Sequence, residues 1–191
     1  MAMNIKYREI SHLQGDEAHG WSDWIWAMAP ENTRRVNNLE PRGNNQEGVV
    51  NTNLADSLRQ ANPGVDKLCG IYEWRATQEY GTNPSVVYLG STCPNAPDPD
   101  PGPGPGPGPS PWHLENRIVA YTTHGNHKKE LINDVLTRGC ELWVRFKTAP
   151  AQQAASRMEN ELLRKYNYPW NIRNNGVRPI LGRAENGLYI K

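Results

Sequence analysis

A glutamate set inside an apolar helical stripe is the first residue of this chain that calls for chemistry. Between Ala151 and Tyr166, Ala155, Leu162, Leu163 and Tyr166 recur at helical spacing, and Glu159 falls on the same face, four after Ala155 and four before Leu163. A carboxylate aimed inward must meet a cation, because burying an unpaired charge costs several kcal/mol. That cation is either a core-facing arginine or a metal ion. Glu161 shares its face with Arg157, Arg164 and Lys165 and reads as an ordinary solvated glutamate. Earlier in the chain, Arg117 sits three residues after Leu114 and four before Tyr121, so a guanidinium and a phenol border one apolar stripe. An arginine that neutralises a phosphate, opposite a carboxylate that holds a divalent ion, suits phosphoryl chemistry. Two tripeptides, Gly70-Ile71-Tyr72 and Tyr88-Leu89-Gly90, and the asparagine of Tyr168-Pro169-Trp170-Asn171 complete the set. Taken singly, Tyr72 and Tyr88 also read as sheet packing, and Asn171 as a turn residue.

The elements that must carry these residues follow from hydrophobic period. Leu68–Trp74 and Ser85–Gly90 are apolar and aromatic runs separated by a turn-rich stretch, and they predict an antiparallel hairpin. Leu114, Ile118 and Tyr121 predict a helix over 112–122; Leu131, Ile132, Val135 and Leu136 predict a second over 127–137, closed by Gly139. Cys140–Phe146 alternates as a third strand, and Pro150 opens a last helix that stops before Pro169. The order β-β-α-α-β-α predicts an α+β fold, a small three-stranded antiparallel sheet flanked by helices. Residues 68–191 make up this domain, and residues 1–67 an N-terminal extension. Trp21, Trp24 and Trp26 of the extension are expected to pack on the main domain rather than bind a ligand, because aromatic rings dominate burial in small domains. Asn53–Asn62 is expected to add a short helix.

Composition narrows the function classes. The chain has 191 residues and a formal net charge of +1, yet residues 1–114 hold 8 Lys/Arg against 13 Asp/Glu, and residues 115–191 hold 13 against 7. A basic half permits contact with a phosphate backbone; ordinary solvated faces explain it as well. No apolar run approaches the roughly 18 residues of a membrane span, and the polar start does not resemble a secretory signal, so a soluble, intracellular protein is expected. The 3 cysteines lack a C-x-x-C pair and are expected to be free thiols. Residues 97–111, dominated by alternating Pro and Gly, form neither helix nor ladder and read as an inserted loop or linker, with a Pro-rich ligand as the other reading.

Taken together and in order, the two tripeptides, Arg117, Tyr121, Glu159 and Asn171 resemble the GIY-YIG nuclease superfamily. The likeness spans Leu68 to Asn175, and its sharpest part is Glu159 followed by Leu162-Leu163 and then by Asn171 after Pro169. More loosely, the chain is similar to plant effector-of-transcription proteins and to type II restriction endonucleases of this superfamily. The resemblance implies a metal-dependent DNA endonuclease hydrolysing phosphodiester bonds, with one Mg²⁺ or Mn²⁺ on Glu159. It implies Tyr88 as general base, Tyr72 as the residue that orients water or phosphate, Arg117 as the phosphate clamp, Tyr121 as its support, and Asn171 as the residue fixing the loop near Glu159. A phenol, with an intrinsic pKa near 10, needs a neighbouring cation to serve as base. Many family members carry a basic residue just after the second tripeptide; here Ser91-Thr92 follow Gly90, and Lys128, Lys129 or His124 are the candidates to replace it. DNA is the implied partner, no membrane is, and a homodimer is compatible with the reading. Its setting is the nucleus in a eukaryote and the cytoplasm otherwise. The missing basic residue supports the alternative, a non-catalytic DNA-binding or regulatory module that keeps the fold.

Overall fold

The strand from Cys69 to Thr77 organises the molecule, because its alternation sends Tyr72, Trp74 and Ala76 to one face and Ile71, Glu73 and Arg75 to the other. The computed structural model describes residues 6–7, 19–35, 37–43, 46–78, 85–94, 113–123 and 128–171. In chain order the elements are β1 (Lys6–Tyr7), β2 (Ile25–Ala29), β3 (Leu39–Pro41), β4 (Val49–Asn51), α1 (Leu54–Ala61), β5 (Cys69–Thr77) and β6 (Ser85–Thr92), then α2 (Leu114–Thr123), α3 (Lys129–Thr137), β7 (Glu141–Ala149), α4 (Gln152–Lys165) and β8 (Tyr166–Asn167). The Pro-Gly tract at 97–111, His124 and His127 lie outside the described residues.

The predicted order β-β-α-α-β-α is present as β5-β6-α2-α3-β7-α4, and the class is α+β. The expected three-stranded sheet is corrected to six antiparallel strands in the order β3-β4-β2-β7-β5-β6. An edge strand exposes unpaired N–H and C=O groups, and β2 meets this need by pairing along β7, Ile25 opposite Val144 and Trp26 opposite Trp143. Strands β3 and β4 span three residues each, inside a polar tract, too short for a period of two to show. β1 and β8 form a separate two-stranded parallel pair. No helix of the described residues is long and apolar enough to cross a membrane.

The free-thiol expectation is also corrected. Gly70 stands opposite Thr92, so the next residues outward, Cys69 and Cys93, face each other with Cα atoms 4.0 Å apart and form a disulfide. Their separation of 24 residues says nothing of this; only the register of the hairpin does. Cys140 is buried and takes no part in the disulfide.

Helices α1, α2 and α3 cover one face, burying Leu58, Leu114, Ile118, Ile132 and Leu136 against Tyr72, Trp74, Val144 and Phe146. On the other face α4 packs Ala155 and Leu163 against Ile71 and Leu89. Beside α4 the remaining surface is covered by alternating indoles and guanidinium groups. Arg35 lies 4.7 Å from the Trp26 ring and 5.3 Å from Trp143; Arg75 lies 4.9 Å from Trp143 and 4.6 Å from Trp24; Arg145 lies 4.6 Å from Trp24 and 4.4 Å from Trp21. Each distance is within cation–π range, and the three tryptophans of the N-terminal segment thus pack on the sheet.

Beneath this stack Glu73 is fully enclosed. It accepts hydrogen bonds from Arg145, through Nε at 2.8 Å and also through Nη2, and from the Tyr168 hydroxyl at 2.7 Å. Truncating one member of a buried ion pair strands the other. Glu73→Ala is therefore expected to lower unfolding free energy by about 3–5 kcal/mol, read as a shift in urea midpoint. A loss below 1 kcal/mol, the order typical of an exposed pair, would show that water reaches Arg145.

Candidate active site

Three phenols meet where β5 and β6 face α2. The Tyr72 and Tyr121 hydroxyls are 3.1 Å apart, and the Tyr121 hydroxyl donates to that of Tyr88 at 3.1 Å. Their ring centroids lie 5.8 to 6.1 Å apart with the planes tilted by 53 to 58°, within the range of aromatic pair contacts. The glycines of the two tripeptides make room for it. A Cβ on Gly90 would come within 2.5 Å of the Tyr72 hydroxyl, so the phenol lies across the strand only because residue 90 has no side chain. At Gly70 a Cβ would lie 2.4 Å from the Lys147 carbonyl oxygen and 2.7 Å from Leu114, so here the glycine permits close approach of β7 and α2.

Arg117, one turn before Tyr121 on α2, places its guanidinium 5.6 Å from the Tyr121 ring and hydrogen-bonds to Tyr72. Burial works against its charge, and the oxygens of Tyr72, Tyr121 and Tyr88 outweigh that effect, holding it above the ordinary arginine range. Burial likewise pushes all three phenols above the usual tyrosine value; for Tyr88 the nearby Tyr72 and Glu159 add to the rise, while Tyr121 and Arg117 oppose it. Tyr88 is 8% exposed against 1% for Tyr72, so it is the phenol closest to solvent. In the resting protein the three are neutral.

Glu159 approaches from α4. Its carboxylate accepts a hydrogen bond from the Ser91 hydroxyl at 2.5 Å, and no ion pair to it exists among the described residues. Desolvation raises its pKa, and the Ser91 contact only partly opposes this. A half-buried carboxylate without a cation, beside a hydroxyl oxygen, fits a hard divalent ion such as Mg²⁺ or Mn²⁺, which takes few protein oxygens and keeps several waters. Among the described residues no cluster of three His, Cys, Asp or Glu side chains that could hold a metal ion gathers.

Asn171 lies beside the same edge strand. Its amide oxygen accepts from the Leu89 N–H at 2.9 Å and its amide nitrogen donates to the Leu89 carbonyl at 2.6 Å, as a paired strand would. The Trp170 N–H adds a bond to the Val87 carbonyl at 2.8 Å. Tyr72, Tyr88, Arg117 and Tyr121 therefore form one cluster, with Glu159 and Asn171 joined to the strand that carries Tyr88. Ser91, where the sequence shows only the lack of a basic residue, joins the site as the donor to Glu159, and its position directly after the second tripeptide is the sequence signal for it. Lys128 sets its ammonium 5.0 Å from the Tyr88 ring centre and donates to the Trp170 carbonyl. It brings a positive charge to Tyr88 from the start of α3.

Residues 108–181 match the family model of GIY-YIG domain-containing proteins. Over this segment the chain is similar to the GIY-YIG superfamily. The match begins near α2, past both tripeptides, and the sheet brings Tyr72 and Tyr88 to the residues it covers. No curated protein and no solved structure matches the chain. The match supports nuclease-type activity at the level of the family.

The direction of the phenol shifts fixes a pH dependence of stability. Folded-state values above the unfolded one mean that the contribution is complete below about pH 10 and is lost as pH climbs from there towards the folded-state values. Thermal melts from pH 8 to 11 should show a steep alkaline fall in Tm, shallower in Tyr121→Phe. Equal slopes for the two proteins would mean that Tyr121 is not held neutral by the fold.

Proposed function

We propose that this protein is a metal-dependent DNA endonuclease in which Glu159 holds a single divalent ion. The observation that carries the reading is the contrast between two carboxylates. Glu73 has its arginine within the protein, whereas Glu159, half-buried on α4 and close enough for its charge to act on Tyr88, has among the described residues only a serine hydroxyl. Mg²⁺ or Mn²⁺ held there would supply Lewis acidity and offset the charge of the phosphate. Arg117 pairs with non-bridging phosphate oxygens, for which its planar, always-charged fork is suited. Tyr72 donates a hydrogen bond to the phosphate or to the attacking water. Tyr88, the phenol nearest solvent, first loses its own proton to solvent and as the phenolate takes the proton of that water, and Tyr121 links the two hydroxyls so that charge forming on one is shared by hydrogen bonding with the other. Asn171 holds the strand that carries Tyr88 in place.

Because Tyr88 is neutral at rest, the rate should rise with pH through the neutral and moderately alkaline range, and Tyr88→Phe should remove the rise and cost about 10²- to 10⁴-fold in rate. A plateau near neutrality shared by both proteins would assign the proton transfer to another group. The second reading, a DNA-binding module without catalysis, draws support from the elevated phenols and from Ser91 in place of a basic residue.

One assay separates them: supercoiled plasmid incubated with the full chain in Mg²⁺, Mn²⁺ or EDTA, beside Glu159→Ala. Nicking that requires metal and vanishes with Glu159 is the expected result. Retarded but uncut plasmid in every lane would leave the binding module standing.

A further inference from the structure

A groove opens along α4, the helix that carries Glu159, between that helix and the Trp21 end of the tryptophan–arginine stack. Its apolar lining comes from Ile71, Met158 and Leu162, its wall is the Trp21 indole, and Lys147, Lys165 and Glu161 also line it. Ile71 stands opposite Ser91, the residue that donates to Glu159, while Met158 and Leu162 sit one before and three after Glu159 on α4. The groove is therefore built from the same helix and strand pair that hold Glu159, one residue along α4 and one strand across from it. Its volume of about 250 Å³ is below the roughly 300–1,000 Å³ of a small-molecule site. That space suits one flat ring system rather than a whole ligand.

Trp21 ends the stack. Arg145 covers one face of its ring, and among the described residues no second cation stacks on it. An indole wall with two ammonium groups alongside has the chemistry that recognises a base joined to a phosphate: π-stacking for the first, charge for the second. Lys147 gives one proton to the His19 carbonyl at 2.7 Å, and an ammonium carries three. Lys165 lies 5.1 Å from the Tyr166 ring at the exposed end of α4. The Glu161 carboxylate is repelled by phosphate but accepts a hydrogen bond from the exocyclic amine of a base. A base inside a duplex has both faces occupied by its neighbours and cannot reach a protein indole without leaving the stack.

We infer that this groove binds an unpaired nucleotide next to the scissile phosphate, and that the substrate class is DNA with an unpaired base at the cut rather than intact duplex. The inference rests on the nuclease reading for the cut itself, but not for binding. The test therefore measures binding in EDTA with the full-length Glu159→Ala chain. The probes are a single-stranded oligonucleotide containing 2-aminopurine, a duplex with one unpaired 2-aminopurine, and the fully paired duplex. Tight binding with quenched probe fluorescence is expected for the first two, and weaker binding for the third. In that background Trp21→Ala should weaken binding of the unpaired probes by roughly 10-fold and abolish quenching, with paired duplex unchanged and Trp21→Phe restoring most of the effect. Lys165→Glu, on an exposed position where folding is not at stake, should weaken the same probes and flatten their salt dependence. Equal affinity for all three probes, or no response to either Trp21→Ala or Lys165→Glu, overturns the inference and leaves the nuclease reading intact. Selective quenching by a wild-type chain that cuts none of these substrates in Mg²⁺ or Mn²⁺ supports the groove and overturns the nuclease.

Discussion

A carboxylate sealed away from water, Glu73, sets the terms for the rest of the molecule. Because it lies in the central part of the sheet with no exposure, it requires Arg145 from β7 and the Tyr168 hydroxyl from the chain just after α4. Arg145 is thereby fixed in the plane where Trp21 and Trp24 can stack on it, which draws the N-terminal segment onto the sheet. Tyr168 is fixed three residues before Asn171, whose amide pairs with Leu89 of the edge strand. One charge thus ties together the N-terminal segment, β5, β7 and the turn that closes the candidate site. Such a triad is not a cheap source of stability, since the desolvation it demands rivals the attraction it returns. Its effect is to make alternative arrangements of these segments costly.

Directly beside it in sequence, Tyr72 points to the opposite face and begins the phenol chain. The two neighbours illustrate how strand alternation separates jobs: one face is closed by charge and stacked rings, the other by apolar helices around three hydroxyls. The phenols are buried enough to be neutral, and so their hydroxyls donate and accept among themselves rather than carrying charge. On the proposed reading this is a resting state. Charge enters with phosphate and a divalent ion, and the elevated Glu159 pKa means that the ion competes with a proton for the same oxygens. Metal affinity at this site should therefore weaken towards acid pH.

The order of the main elements was legible because each is long enough to display its period. The residues of the candidate site were legible because Glu159 broke an apolar stripe and because the tripeptides and Asn171 came in a recognisable order. What stayed hidden was set by pairings between distant segments. Strands β3 and β4 are three residues each and have no period to read. The Cys69–Cys93 bridge depends on hairpin register, and it sits uneasily with an intracellular setting, where such pairs are usually kept reduced. The tryptophan–arginine stack draws on residues from 21 to 145 that only the sheet brings side by side. Glu73 left a visible trace, a charge between Tyr72 and Trp74 in an apolar strand, and the rule that exposed Glu159 as a buried acid applies to it equally.

The absence of a basic residue after Gly90 has a physical counterpart elsewhere in the site. Ser91 occupies that place and is engaged with Glu159, so the position serves the carboxylate instead of the phenols. On the proposed reading, a lysine there would compete with a divalent ion for the Glu159 carboxylate. The cations near Tyr88 come instead from helical segments: Arg117 from α2, which favours the ionised phenol, and Lys128, whose ammonium lies over the Tyr88 ring and is anchored by the Trp170 carbonyl. That carbonyl belongs to the residue whose N–H binds Val87, the neighbour of Tyr88. Trp170 therefore sets strand and lysine relative to each other, which places a cation over the Tyr88 ring from the start of α3.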